Sequence, residues 1–246
     1  MLSVNWNSVL FLSMSVLMIL GFVYVVFLMT KRWRHIHRLF MIPDVTIVDM
    51  NSTYIEADTK IGKGTVVWPN THIQGKSKIG NDCVIGPNSI IRDSIIGDQC
   101  KVFVSVIDNV WIEDDVTVGP FSHLSKGAHL EKEAHVGNFG EVKESTLGPG
   151  VKMGHFSYIG NTTIGANTNI GAGTITCNFD GQKKHPTEIG EDVFIGSDSM
   201  LVAPLKIGDR SRTGAGAVVT KNVPEDTLVV GMPARAIRKL GKRDTG

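Results

Sequence analysis

Between Ile55 and Val219 an aliphatic side chain returns every six positions, often with a glycine directly after it, as at Ile79-Gly80, Val118-Gly119, Ile159-Gly160, Ile170-Gly171 and Ile195-Gly196. An α-helix returns its apolar face at three and four residues and a lone strand at two, so six calls for a short strand plus a turn, repeated as a parallel β-helix. Three such units close one triangular coil. The inward series runs Ile55, Ile61, Val67, Ile73, Ile79, Ile85, Ile91, Ile96, Val102, then Ile112 to Val142, Leu147 to Ile159, Ile164 to Thr176 and Ile189 to Val219. Its register slips by one residue at Ile91 to Ile96, Val142 to Leu147 and Ile159 to Ile164, where a turn is shortened. A larger break, thirteen positions from Thr176 to Ile189, inserts a loop at 177–188, and a solenoid interrupts its period mainly to build something outside the stack.

The amino-terminal segment follows a different pattern. Val9 to Met29 is a nearly uninterrupted apolar run of 21 residues, followed by Lys31, Arg32, Arg34 and Arg38. At about 1.5 Å per residue such a helix spans a hydrocarbon core of about 30 Å. Basic residues on its carboxyl side keep that side cytoplasmic. The expected layout is a membrane anchor at 1–38 with its span at about 9–29, a connection at 39–54, the repeat domain at 55–223 and a short tail at 224–246. The expected location is the cell membrane, crossed once, with the repeat domain in the cytoplasm. The fold class is all-β apart from that helix.

Composition narrows the chemistry. A net charge of +1 over 246 residues with no long basic field argues against a nucleic-acid partner. Cys83, Cys100 and Cys177 are odd in number and have no paired spacing, which points away from a disulfide framework and toward a reducing compartment. His123, His129 and His135 are six residues apart, one face of the triangle, so they point from different faces and do not converge on one ion. No metal site is expected.

The residues stop looking generic between His135 and Lys184. There the chain reads His135-Val136-Gly137-Asn138-Phe139-Gly140-Glu141-Val142-Lys143, Gly154-His155-Phe156-Ser157-Tyr158-Ile159-Gly160, and Asn169-Ile170-Gly171-Ala172-Gly173-Thr174-Ile175-Thr176-Cys177-Asn178-Phe179-Asp180-Gly181. This resembles the acetyltransferase half of the bifunctional bacterial uridylyltransferase and glucosamine-1-phosphate acetyltransferases, over about Pro43 to Pro224. The resemblance implies a left-handed coil, a homotrimer with sites between neighbouring subunits, and acetyl-CoA as donor. It implies His155 as the base that takes the proton of the attacking amine, work suited to an imidazole near neutral pH. It assigns Lys143 and Lys184 to a sugar phosphate, helped by the Tyr158 hydroxyl; charge-assisted contacts of this kind are strong. Glu141, Asn169 and Asn178 match contacts to the sugar or its amine, and Ala172, Ser197 and Ala215 match acetyl-CoA contacts.

The departures bear on the acceptor. Where the family carries a phosphate-binding arginine after Pro-Phe-x-x-Leu, this chain has Ser125, with Lys126 next to it. A tyrosine after the Cys-Asn pair becomes Phe179, and the tail Gly231-Met232-Pro233-Ala234-Arg235 differs, leaving Arg235, Arg238 and Lys239 to meet the CoA phosphates. Residues 1 to 54 hold no glycine-rich nucleotide loop, so no uridylyltransferase activity is expected. The leading expectation is acetylation of glucosamine-1-phosphate. A nucleotide-linked amino sugar for surface polysaccharide synthesis is the alternative, and a non-catalytic trimeric scaffold at the membrane is a third.

Overall fold

A computed structural model describes residues 18–26 and 44–239. It falls into two units, residues 1–43 and 44–246. In the first, residues 18–26 are helical and expose Met18, Phe22 and Tyr24. Nine residues rise about 14 Å, less than half of a bilayer core. Among the described residues no helix is long and apolar enough to cross a membrane. The remainder of the expected 9–29 span lies outside them.

The second unit is a left-handed β-solenoid of about ten turns. Short strands stack into three sheets of 12, 10 and 9 strands, parallel and with every third strand in the same sheet as far as Val218–Val219. The first sheet runs from Thr46–Ile47 through His135–Asn138, Lys152–His155, Asn169–Ile170, Phe194–Ile195 and Arg212–Thr213. The second includes His123–Ser125, Glu141–Lys143, Tyr158–Gly160 and Ile175–Cys177, and the third includes His129–Leu130, Thr146–Leu147 and Thr162–Ile164. The stretch 39–54 is therefore more than a connection, because Thr46 and Ile47 already pair with Val66 and Val67.

The six-residue series fills the interior. Ile73, Ile85, Ile91, Leu124, Leu130, Leu147 and Ile159 are fully buried, each contributing about 1.5 to 3 kcal/mol of apolar transfer. Ile107, missing from the series, is also fully buried. It stands five residues from both Val102 and Ile112, so two further corners are shortened beyond the three expected. The glycine after an inward residue is required by the closeness of the next coil. A Cβ on Gly171 would lie 2.6 Å from the Ile195 carbonyl oxygen and from the Ser197 nitrogen.

The tail does not stay a tail. Thr227–Gly231 joins the first sheet beside Arg212–Thr213 and then turns back against Ala234–Lys239, the one antiparallel strand pair among the described strands.

Candidate active site

Two residues beyond each inward position of the first sheet, the chain turns a corner toward the second. Val136, Met153, Ile170 and Ile195 are in register coil above coil. The residues two further on are Asn138, His155, Ala172 and Ser197, with Ala215 following Thr213 in the same way. Asn138 and His155 pair directly, the Asp198 amide donates to the Ala172 carbonyl at 2.7 Å, and the Gly216 amide donates to the Ser197 carbonyl at 2.8 Å. The fold thus sets the expected base and the three expected acetyl-CoA contacts in one column, exposed at His155, Ser197 and Ala215 and half-buried at Ala172. Arg235, opposite Val230 in the terminal hairpin, lies at the end toward which the column runs. Beside His155, His135 has its pKa lowered, first by burial and then by the charges of His155 and Lys152.

Across the second sheet the expected acceptor residues form a second group. Glu141 is in register with Tyr158, and Lys143 with Gly160. Gly160 is buried, and its missing side chain makes room for Tyr158 and Asn178 to pack over it. A Cβ on it would fall onto the Tyr158 hydroxyl and 2.7 Å from Asn178 Nδ2. Asn178, 6% exposed, donates from Nδ2 to the Tyr158 hydroxyl at 3.4 Å and to Asn161 Oδ1 at 2.7 Å. Lys184 donates to Glu144 Oε2 at 3.3 Å, and Asn161 Nδ2 donates to the same oxygen at 2.9 Å. These two bonds, that from Asn161 first, hold the Glu144 carboxyl below its ordinary pKa.

The 177–188 insert is a small hairpin. Phe179 and Lys184 bridge antiparallel, and Asp180 accepts from the Gln182 and Lys183 amides and from His185 at 2.6 Å. Those bonds, with the Lys183 amide foremost, hold Asp180 well below the usual carboxylate range. Within one chain the hairpin delivers Asn178 and Lys184 to Tyr158 and Glu144, not to the His155 corner.

Several residues sit apart from their expected companions. Asn169 belongs to the first sheet, between Lys152 and Phe194, and lines a groove of about 330 Å³ with Phe194, Arg210 and Arg212. Tyr158 and Lys143 lie on the second sheet, so one chain does not bring them to Asn169. Ser125 is in register with Lys143, as the substitution of the family arginine requires. Lys126, one residue on, starts the next corner at a φ of 42°, and its charge acts on Glu144. His123, His129 and His135 lie on the second, third and first sheets, and His129 is hydrogen-bonded to Glu113 at 3.0 Å.

Comparison with known proteins gives the chain its relatives. A family model described as bacterial transferase hexapeptide (six repeats) matches residues 58–93 and 186–221. The chain is 48% identical over 206 residues to the bifunctional protein GlmU of Thermosipho africanus, an alignment covering 84% of this chain and 46% of that protein. It is 50% identical over 201 residues to bifunctional protein GlmU of Fervidobacterium nodosum, covering 82% and 44%. The chain therefore spans about half the length of the curated relatives it matches. Among solved structures it is similar in fold to an Arabidopsis UDP-N-acetylglucosamine acyltransferase, with a TM-score of 0.54 and 16% identity over 80% of this chain and 73% of that one.

Proposed function

We propose, on the premise that this chain belongs with the hexapeptide-repeat acetyltransferase half of the bifunctional GlmU proteins, that it moves the acetyl group of acetyl-CoA to the amine of an amino-sugar phosphate, with glucosamine-1-phosphate the expected acceptor. The observation that carries the reading is the single column of His155, Ala172, Ser197 and Ala215, a base at one end of a track of small side chains. Small residues let a pantetheine arm lie against the backbone with its thioester beside the imidazole. The amine nitrogen attacks the thioester carbonyl carbon while His155 takes its proton. The tetrahedral adduct then collapses, the carbon–sulfur bond breaks, and the CoA thiolate leaves and is protonated. Nothing in this route needs a covalent acyl-enzyme.

The acceptor side follows from charge. Among the described residues Lys143 makes no ion pair, and Lys184 makes one with Glu144 that a phosphate dianion would replace. Glu141, Tyr158 and Asn178 supply the neutral and acceptor contacts that orient the sugar. Asn169 and Tyr158 can serve one site if the first sheet of one subunit faces the second sheet of the next, which is the arrangement of a homotrimer with sites at its three boundaries.

Ser125 favours a second reading, acetylation of a nucleotide-linked amino sugar, because it removes a cation beside Lys143. The full chain incubated with acetyl-CoA and a panel of amino sugars decides between them. Turnover of glucosamine-1-phosphate is expected. Its absence beside good turnover of a nucleotide-linked amino sugar would establish the second.

The apolar run Val9 to Met29 and its basic flank support a membrane tether with the solenoid on the cytoplasmic side, where acetyl-CoA is made and used. Fractionation checks this: the full-length protein is expected with the membranes after a high-salt wash, and recovery in the soluble fraction would remove the anchor.

A further inference from the structure

The corners between the second and third sheets hold two polar side chains, Glu144 and Asn161, to which the acetyl-transfer reading gives no role. Glu144 and Asn161 occupy equivalent positions in two successive shortened corners, with φ of 48° and 51°, which stacks their side chains. Their partners are fixed by backbone bonds on both sides: the Asn161 amide donates to the Lys143 carbonyl at 3.2 Å, and its carbonyl accepts from Thr187 at 3.0 Å. The order of donors along the chain has one starting point. An ionised carboxylate only accepts, whereas each asparagine amide both donates and accepts. Glu144 therefore takes Nδ2 of Asn161, which turns Asn161 Oδ1 toward Asn178, and that oxygen takes Nδ2 of Asn178. The second Nδ2 hydrogen of Asn178 goes to the Tyr158 hydroxyl.

We infer that Glu144 and Asn161 are positioning residues, which set the Asn178 amide with Nδ2 against Tyr158 and its carbonyl oxygen toward the acceptor sugar. The assignment rests on the acetyl-transfer reading for what Asn178 touches, and on the hydrogen-bond sequence alone for how Asn178 is held. Asn178 is buried while Glu144 and Asn161 are half-buried, and in a hydrogen-bonded series of this kind removing one member frees the next. The same carboxylate holds Lys184 near the sugar-phosphate position until a dianion takes it over.

The test separates the two supports. Asn161→Ala is expected to raise KM for the amino sugar about five- to tenfold, the effect of one lost hydrogen bond, with KM for acetyl-CoA unchanged. The paired change Glu144→Gln with Asn161→Asp reverses the bond between them, a donor at 144 and an acceptor-only group at 161, and keeps an acceptor facing Asn178. It is expected to bring KM back to within about twofold of the parent. An unchanged KM in Asn161→Ala, equal rises in both KM values, or a paired variant as impaired as the alanine variant would overturn the inference. A crystal structure of the Asn161→Ala chain reads the same point without turnover. Asn178 is expected to leave the Tyr158 hydroxyl, and an unmoved Asn178 overturns the positioning role. Absence of acetyl transfer by the parent chain would defeat the functional reading, while the crystal structure still decides the positioning.

Discussion

Replacing His155 with alanine is expected to lower kcat for acetyl transfer by about a hundred- to ten-thousandfold, the range contributed by a positioned general base. The expectation is local because of where the residue sits. His155 closes the strand Lys152–His155 with its side chain exposed at the corner, while Met153 in the same strand fills the core. Truncating an exposed ring removes no interior contact, so the thermal midpoint should stay near that of the parent. Steady-state kinetics beside a melting curve separates the two effects. An unchanged rate would remove His155 as the base. No transfer by the parent protein on any amino sugar would favour a non-catalytic scaffold. The loss should appear in kcat and in kcat/KM alike, since the proton moves only as the carbon–nitrogen bond forms.

Much of the solenoid is legible in the sequence because burial alone sets the period. An inward position admits only a side chain that fills the triangle, so Ile, Leu and Val recur there whatever the function. The places where that logic failed are instructive. Ile107 escaped because corners on both sides of it are one residue short, which breaks a six-residue count twice in succession. The 39–54 stretch has the sequence pattern of a connection because its first strand has only a partly buried Ile47 to announce it.

The site was legible only in part, and for a different reason. His155, Ala172, Ser197 and Ala215 were found by likeness to a family, and their alignment in one column emerges only once the coils are stacked. Asn169 and Tyr158 are eleven residues apart in sequence, yet they belong to different sheets, a separation that six-residue counting implies but a motif string hides. Glu144 and Asn161 were missed altogether. The bonds that join Glu144 to Asn161 and Asn161 to Asn178 each span 17 residues, a full coil, which is outside the reach of any local motif. Pairing residues one coil apart at every shortened corner would have found them.

Replacing Ser125 with arginine is expected to lower KM for glucosamine-1-phosphate about ten- to hundredfold while changing kcat little. Ser125 is paired in register with Lys143, so the two side chains leave the same face of adjacent strands about 4.8 Å apart. A guanidinium there would reach the oxygens that Lys143 reaches, and a hydrogen bond to a charged group contributes about 1.5 to 3 kcal/mol. Asp108, in register on the other side of Ser125, works against this by offering the new cation a carboxylate, although it is already paired with Arg92 at 3.3 Å. That competition places the gain nearer tenfold. Because the phosphate neither gains nor loses a bond in the acetyl transfer, the contact is about equally strong before and during reaction, and uniform binding of this kind moves KM rather than kcat. Steady-state kinetics with glucosamine-1-phosphate and a nucleotide-linked amino sugar gives the reading. If the arginine leaves KM for the monophosphate unchanged and weakens the nucleotide-linked substrate, the space that Ser125 leaves open is part of a larger acceptor site, and the second reading of the substrate is the correct one.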